Sequence, residues 1–141
     1  MTTNIMGARS EPLSSMVEAV FLLVEGIYLK LQQVDESTRE QLTFQVLCML
    51  RNLADMNASF ESNYAAYLRW TKRYLESEVD YHSLVLESTS LQKNQRYILR
   101  FMSLMQKWPF YEQLEREQAL IYLQRLYEVN KYQDRHIRQQ L

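Results

Sequence analysis

The chain has 141 residues with a formal net charge of −1, 47% of them apolar and 23% charged. This is one domain's length, with the composition of a globular chain and no global field toward nucleic acid or an acidic membrane. From residue 27 to residue 108 there is no glycine or proline, which points to an almost wholly helical fold and excludes the Gly-rich loops that cradle nucleotides.

Residues 1–13 are polar, hold Gly7 and Pro12, and read as a mobile tail. The first fifteen residues carry one Arg, one Glu and no apolar core, so neither a signal nor a transit peptide is expected. Ser15-Met-Val-Glu18 has the form of a capping box, which predicts a helix over 15–34. Its apolar seam runs Leu13, Val17, Val20, Val24, Ile27, Leu31, Val34, alternating steps of four and three as along a coiled-coil edge. Met16, Phe21, Leu22, Leu23, Tyr28 and Leu29 widen it until little of the circumference is polar. Such a helix belongs at the centre of a bundle or beneath a partner chain. Gly26 costs about 1 kcal/mol there relative to Ala, and close approach of another helix would explain it. The stretch from Ala19 to Leu31 holds Glu25 and Lys30 and is shorter than the roughly 20 apolar residues of a membrane span. A soluble, cytoplasmic protein is the expectation.

Ser37-Thr-Arg-Glu40 forms a second capping box. The seam that follows, Leu42, Val46, Met49, Leu53, Met56, Phe60, Tyr64, Tyr67, Thr71 and Tyr74, contains one extra four-residue step. A continuous helix absorbs such a stutter, which predicts one long helix over 38–76, with Asn57 to Ser59 the place for any break. Cys48, the only cysteine, forms no intrachain disulfide and suits a reducing compartment; in the run Val46-Leu47-Cys48-Met49-Leu50 it reads as a small core residue. Ser77-Glu-Val-Asp80 offers a weaker cap, and Ser88-Thr-Ser90 predicts a break. Leu91, Ile98, Met102 and Met105 mark another helical face, which Pro109 ends, with the option of opening the next helix. Phe110, Leu114, Ile121, Leu126 and Val129 carry the last helix to Tyr132, and residues 134–141 read as a fraying tail. No segment alternates with period two, so no sheet is expected. The fold class is all-α: a four- or five-helix bundle with coiled-coil-like seams and a long second helix, in a single domain over 14–133.

Catalytic constellations are missing. The two histidines, His82 and His136, stand in no Glu-x-x-His pair of the kind that builds di-iron bundles, and Glu78 with His82 supplies half a site. No Ser sits in a Gly-x-Ser-x-Gly elbow. Glu112, Glu115 and Glu117 suit the dipole of a helix start better than acid–base work. Hence no enzyme, no metal and no cofactor is expected.

Two surface patterns remain. Lys93, Arg96, Arg100 and Lys107 lie on one stripe of one helix, and Tyr64, Tyr67, Trp70 and Tyr74 interleave with Arg69, Lys72 and Arg73. Residues 1–62 hold four basic residues against eight acidic ones, and residues 63–141 twelve against nine. The basic stripe therefore has acids of the first half as candidate partners. Ten tyrosines and seven methionines suit a protein-contact surface. The expected function is a non-catalytic helical interaction module (an adaptor, regulator or dedicated chaperone) that forms a homodimer and binds another protein. Val17, Val20, Val24, Ile27, Leu31, Met49 and Leu53 are its candidate self-association residues. Tyr64, Tyr67, Trp70, Tyr74, Lys93, Arg96, Arg100 and Lys107 are its candidate partner-binding residues. The alternative is a regulator that binds nucleic acid, with cations on phosphates and rings on bases.

Overall fold

A computed structural model describes the backbone of residues 2–74 and 78–140 and the side chains of residues 16–57 and 85–139. Among the described residues the chain is all-helical and has no strand. It forms α1 (Thr2–Lys30), a 3-10 turn (Leu31–Gln33), α2 (Glu36–Tyr74), α3 (Glu78–Lys107) and α4 (Gln113–Gln140). The long second helix is continuous through Asn57 to Ser59, where the stutter in its seam costs no backbone break.

Helix ends follow side-chain chemistry, at positions shifted from those the sequence suggests. Helix α1 already includes Ser15, so the capping box there lies inside a helix and does not begin one. The cap of α2 is Asp35, two residues before the box at Ser37: its Oδ1 accepts from the backbone N–H of Thr38 at 3.0 Å, which satisfies one of the orphan donors of the first turn. That hydrogen bond also holds the Asp35 carboxyl below its ordinary range. Pro109 lies in the turn between α3 and α4, and α4 starts at Gln113. The Glu115 carboxylate there accepts from the backbone N–H of Glu112 at 3.2 Å, half of a capping box. Arg116 closes the same corner, donating to the carbonyls of Met105, Gln106 and Tyr111.

Three sets of contacts fix the topology. Glu18 meets Lys93, Glu25 meets Arg100, and Tyr28 packs on Trp108, so α1 and α3 run in the same direction. Thr43 bonds to Trp108 and Tyr111 while Asp55 meets Arg125, so α2 and α4 are also parallel. Ser88 with Asp134 and Leu91 with Asn130 make α3 antiparallel to α4. The bundle is therefore up-down-up-down, each helix packing on two others: α4 packs most extensively, on α2 and α3, and α1 least, on α3 and, to a smaller extent, α2. This corrects the expectation that residues 15–34 form the centre.

The core is apolar at one end and mixed at the other. Val24, Val46, Ile98, Phe101, Met105 and Trp108 are fully buried where all four helices meet. The Trp108 Nε1–H donates to Thr43 Oγ1 at 3.0 Å and the Tyr111 hydroxyl to the Thr43 carbonyl at 2.9 Å, so both aromatic handles are satisfied. Burial pushes the Tyr111 hydroxyl pKa far up, helped by the negative charge of Glu115. Toward the other end Asn57, Ser88, Asn94, Asn130, Gln133 and Asp134 are buried among Leu91, Val129 and Ile137. Ser88 is thus a core donor to Asp134 at 3.0 Å, and its hydroxyl does not break α3. Thr89 likewise turns its hydroxyl back to the Val85 carbonyl, as helix-internal Thr does. Ile137 is fully buried, which keeps α4 helical through Gln140 and past the expected end at Tyr132.

Candidate functional site

The expected self-association seam is consumed within one chain. Val17, Val24, Leu31 and Leu53 are buried in the core, and Val20, Ile27 and Met49 pack against it half-buried. These seven residues face the other helices of the same molecule, with Val20, Ile27 and Met49 keeping part of their surface exposed.

What lies outside is the opposite side of α1. Leu22, Leu23 and Leu29 are 50%, 55% and 69% exposed, and Ala19 is exposed beside them. At 100° per residue Gly26 falls in the middle of this group, with Leu22 and Leu29 on one flank and Ala19 and Leu23 on the other. A Cβ built on Gly26 meets nothing within 4 Å. Among the described residues no helix uses the close approach that the glycine permits. The outer face of α1 is therefore an apolar strip with a notch at its centre.

Its charged flank is neutralised within the chain. Lys93 Nζ lies 3.1 Å from Glu18 Oε2, and the Tyr97 hydroxyl donates to Glu18 Oε1 at 3.1 Å. Together they hold the Glu18 carboxyl below the usual carboxylate range, Lys93 contributing most. Arg100 Nη2 lies 3.6 Å from Glu25 Oε2, with its guanidinium 4.7 Å from the Phe21 ring centroid and 5.4 Å from that of Tyr97. Half of the basic stripe thus binds acids and rings of α1. Arg96 and Lys107 are exposed on the same helix. The side chains of Tyr64, Tyr67, Trp70 and Tyr74, and of His82, lie outside the described residues.

Other chemistry is sparse. Cys48 is exposed, not buried: the helical period turns Val46 and Leu50 inward and leaves position 48 on the outside. His136 stacks edge-on against Tyr132 at 4.4 Å. A shallow groove of about 470 Å³ between α3 and α4 is lined by Gln95, Lys131, Asp134, Arg135, Arg138 and Gln139. Both oxygens of its carboxylate are committed, one to Ser88 and one to Arg138 Nε at 3.0 Å. Among the described residues no three His, Cys, Asp or Glu side chains converge as a metal site, and no helix is long and apolar enough to cross a membrane.

Fold and surface define an all-α bundle with an uncovered apolar helix face. No protein-family model, curated protein or solved structure matches the chain.

Proposed function

We propose that the chain is a non-catalytic helical interaction module, an adaptor or regulator that self-associates through the outer face of α1. The observation that carries this reading is the exposed strip Leu22, Leu23 and Leu29 around a glycine whose missing side chain nothing in the molecule fills. Contiguous exposed apolar surface on a helix marks an interaction site, and interior glycines in helices are destabilising unless something approaches them. A second copy suits the strip because it is self-complementary: the notch of one α1 accepts a leucine ridge of the other in an isologous contact. Glu18 and Glu25 are already paired with Lys93 and Arg100, so the flanking acids bring no uncompensated negative charge to the contact, and exposed Lys30, one turn after Gly26, is the charge the face itself carries. The same pairing draws Lys93 and Arg100 away from phosphates, which favours the protein-binding reading over the nucleic-acid one.

Sedimentation velocity across a dilution series tests the reading. A concentration-dependent dimer is expected, and Leu23→Glu, an exposed position in one chain, should return it to monomer with the helical signal unchanged. A wild-type protein that stays monomeric at high micromolar concentration overturns self-association.

A further inference from the structure

The groove between α3 and α4 gathers positive charge that the chain itself does not answer. Lys131, Arg135 and Arg138 stand at steps of four and three on one face of α4 and line it, with Asp134 the one acid in that lining. Arg135 has no hydrogen bond, ion pair or ring contact among the described residues, and Lys131 has the Tyr127 ring alone, at 5.5 Å. Like charges at these spacings repel one another. Cations suit the last turns of α4, but α3 runs antiparallel and starts at the same end, so the two helix dipoles offset each other there. The α3 wall contributes Gln95 and carries no acid from Ser88 to Lys107. Glu87 has a partner of its own and lies outside the lining. Glu78 and Asp80 come level with the chain beyond Gln139 in the register that sets Ser88 at Asp134. Glu128, one turn before Lys131, accepts from Gln124 at 2.8 Å and does not line the groove. Even with Glu128 counted beside Asp134, the three cations on this face of α4 keep a positive excess.

One of these cations is held from inside the bundle. Asp134 is 7% exposed; its Oδ1 accepts from the buried Ser88 hydroxyl at 3.0 Å, and its Oδ2 lies 3.0 Å from Arg138 Nε. Ser88 belongs to α3, and Asp134 and Arg138 to α4, so the packing of the two helices sets the guanidinium in place. The Arg138 side chain is 59% exposed, so the edge of its planar fork away from Nε is open to an oxyanion, the partner with which arginine bonds most strongly. The described lining has no apolar side chain to anchor a peptide and no ring to stack on a base. It offers charge and the amides of Gln95 and Gln139, and so selects for charge density. A phosphate group supplies more than one negative charge and three acceptor oxygens. From Lys131 to Arg138 the helix rises about 10 Å, more than a single phosphate occupies.

We propose that the α3–α4 groove binds a small anion carrying two or more phosphate groups, with Arg135 and Arg138 on one phosphate and Lys131 on the next. Asp134 and Ser88 touch no ligand and act as positioning residues for Arg138. The site shares no residue with the outer face of α1 and goes beyond the interaction-module reading.

Isothermal titration calorimetry of the full chain with sodium tripolyphosphate, free of divalent cations, tests the site. Micromolar binding is expected, with orthophosphate roughly tenfold weaker at equal ionic strength because it engages fewer of the cations. Arg135→Ala should weaken tripolyphosphate binding roughly tenfold, the loss of one charge-assisted contact. Arg135 touches nothing in the fold, so circular dichroism should be unchanged. Lys131→Ala should act in the same direction, and Lys107→Ala, at the far end of α3, should have no effect. Asp134→Asn separates a built site from a diffuse cationic surface. Removing a negative charge strengthens binding to a diffuse surface, whereas releasing Arg138 weakens it at a built site, and weaker binding is expected. Ser88→Ala leaves every charge in place and should weaken binding too, which keeps the comparison available if Asp134→Asn loses helical signal. No binding of tripolyphosphate, equal affinity for orthophosphate, no effect of Arg135→Ala, or tighter binding by Asp134→Asn overturns the site. A glutamate-rich peptide that binds as tightly as tripolyphosphate overturns the assignment to phosphate.

Discussion

Replacing Gly26 with alanine should raise the stability of the single chain and weaken its assembly. The added methyl meets nothing within 4 Å in the molecule, so it introduces no clash. Gly26 lies well inside α1, where the change from glycine to alanine restricts the unfolded chain and favours the helix by roughly 0.5–1 kcal/mol. For a chain of this size that is a rise in Tm of roughly 2–4 °C. It must be read at low protein concentration, because assembly raises apparent stability by mass action. In the self-associated state the same methyl occupies the notch that receives the partner's ridge, and Gly26→Leu fills it altogether. Urea denaturation at low micromolar protein gives the first quantity and sedimentation velocity the second. A destabilised Gly26→Ala chain would mean that the glycine is packed inside the molecule, and unchanged assembly in Gly26→Leu would mean that nothing docks there.

The remaining expectations probe the frame that holds α1. Thr43→Val keeps the shape of the side chain but leaves the buried Trp108 N–H without its acceptor; a loss of about 1–3 kcal/mol in urea denaturation is expected, and a change below 0.5 kcal/mol would show that the hydrogen bond contributes nothing. The Tyr111 hydroxyl titrates higher in the folded chain than in the unfolded one, whose value is the ordinary 10.0. Its contribution is therefore complete below pH 10 and declines as pH rises beyond it, so Tyr111→Phe should flatten the alkaline limb of a stability-versus-pH profile. Glu18 has the opposite sign: its carboxyl titrates low in the fold, so its contribution is present above the unfolded value and is lost as pH falls through the folded one, a dependence that Lys93→Met should reduce and that the Tyr97 hydrogen bond should keep in part. Arg100→Glu places like charge beside Glu25 and takes the cation from Phe21 and Tyr97. At this exposure the loss should stay near 1 kcal/mol, with partial recovery in the Glu25→Arg exchange. Steeply salt-dependent binding of a single-stranded oligonucleotide by wild type would contradict the assignment of the stripe to α1.

Periodicity made the helices legible, and tertiary competition decided what periodicity could not. Runs without glycine or proline fixed the class, and the stuttered seam was enough to keep α2 whole. Single residues at the breaks were harder. Ser88 and Thr89 are poor helix formers in isolation, yet one bonds across to Asp134 and the other back to Val85, so neither competes with the helix. Asp35 displaced Ser37 as the cap because it stands three residues before the Thr38 N–H that it accepts from. Cys48 shows the limit of reading a run by composition: five apolar residues in a row wrap more than one helical turn, and one of them must face out.

The proposed interaction surface was half visible for a related reason. A one-dimensional seam shows which residues recur on a face but not whether the face is covered by the same chain or by another. Val17, Val24 and Leu31 recur on the expected spacing, and α3 and α2 cover them from within. Leu22, Leu23 and Leu29 lie off that spacing, where they look like mere widening of the seam, and they are what the bundle leaves open. The basic stripe has the converse history. Four cations on one helix suggest a ligand, but the parallel packing of α1 on α3 brings Glu18 and Glu25 level with Lys93 and Arg100, so half of that charge faces the outer helix, while Arg96 and Lys107 stay exposed. Function in such a chain resides where packing stops: the residues that complete the core are unavailable to a partner, and those the core cannot reach are what remain to bind one.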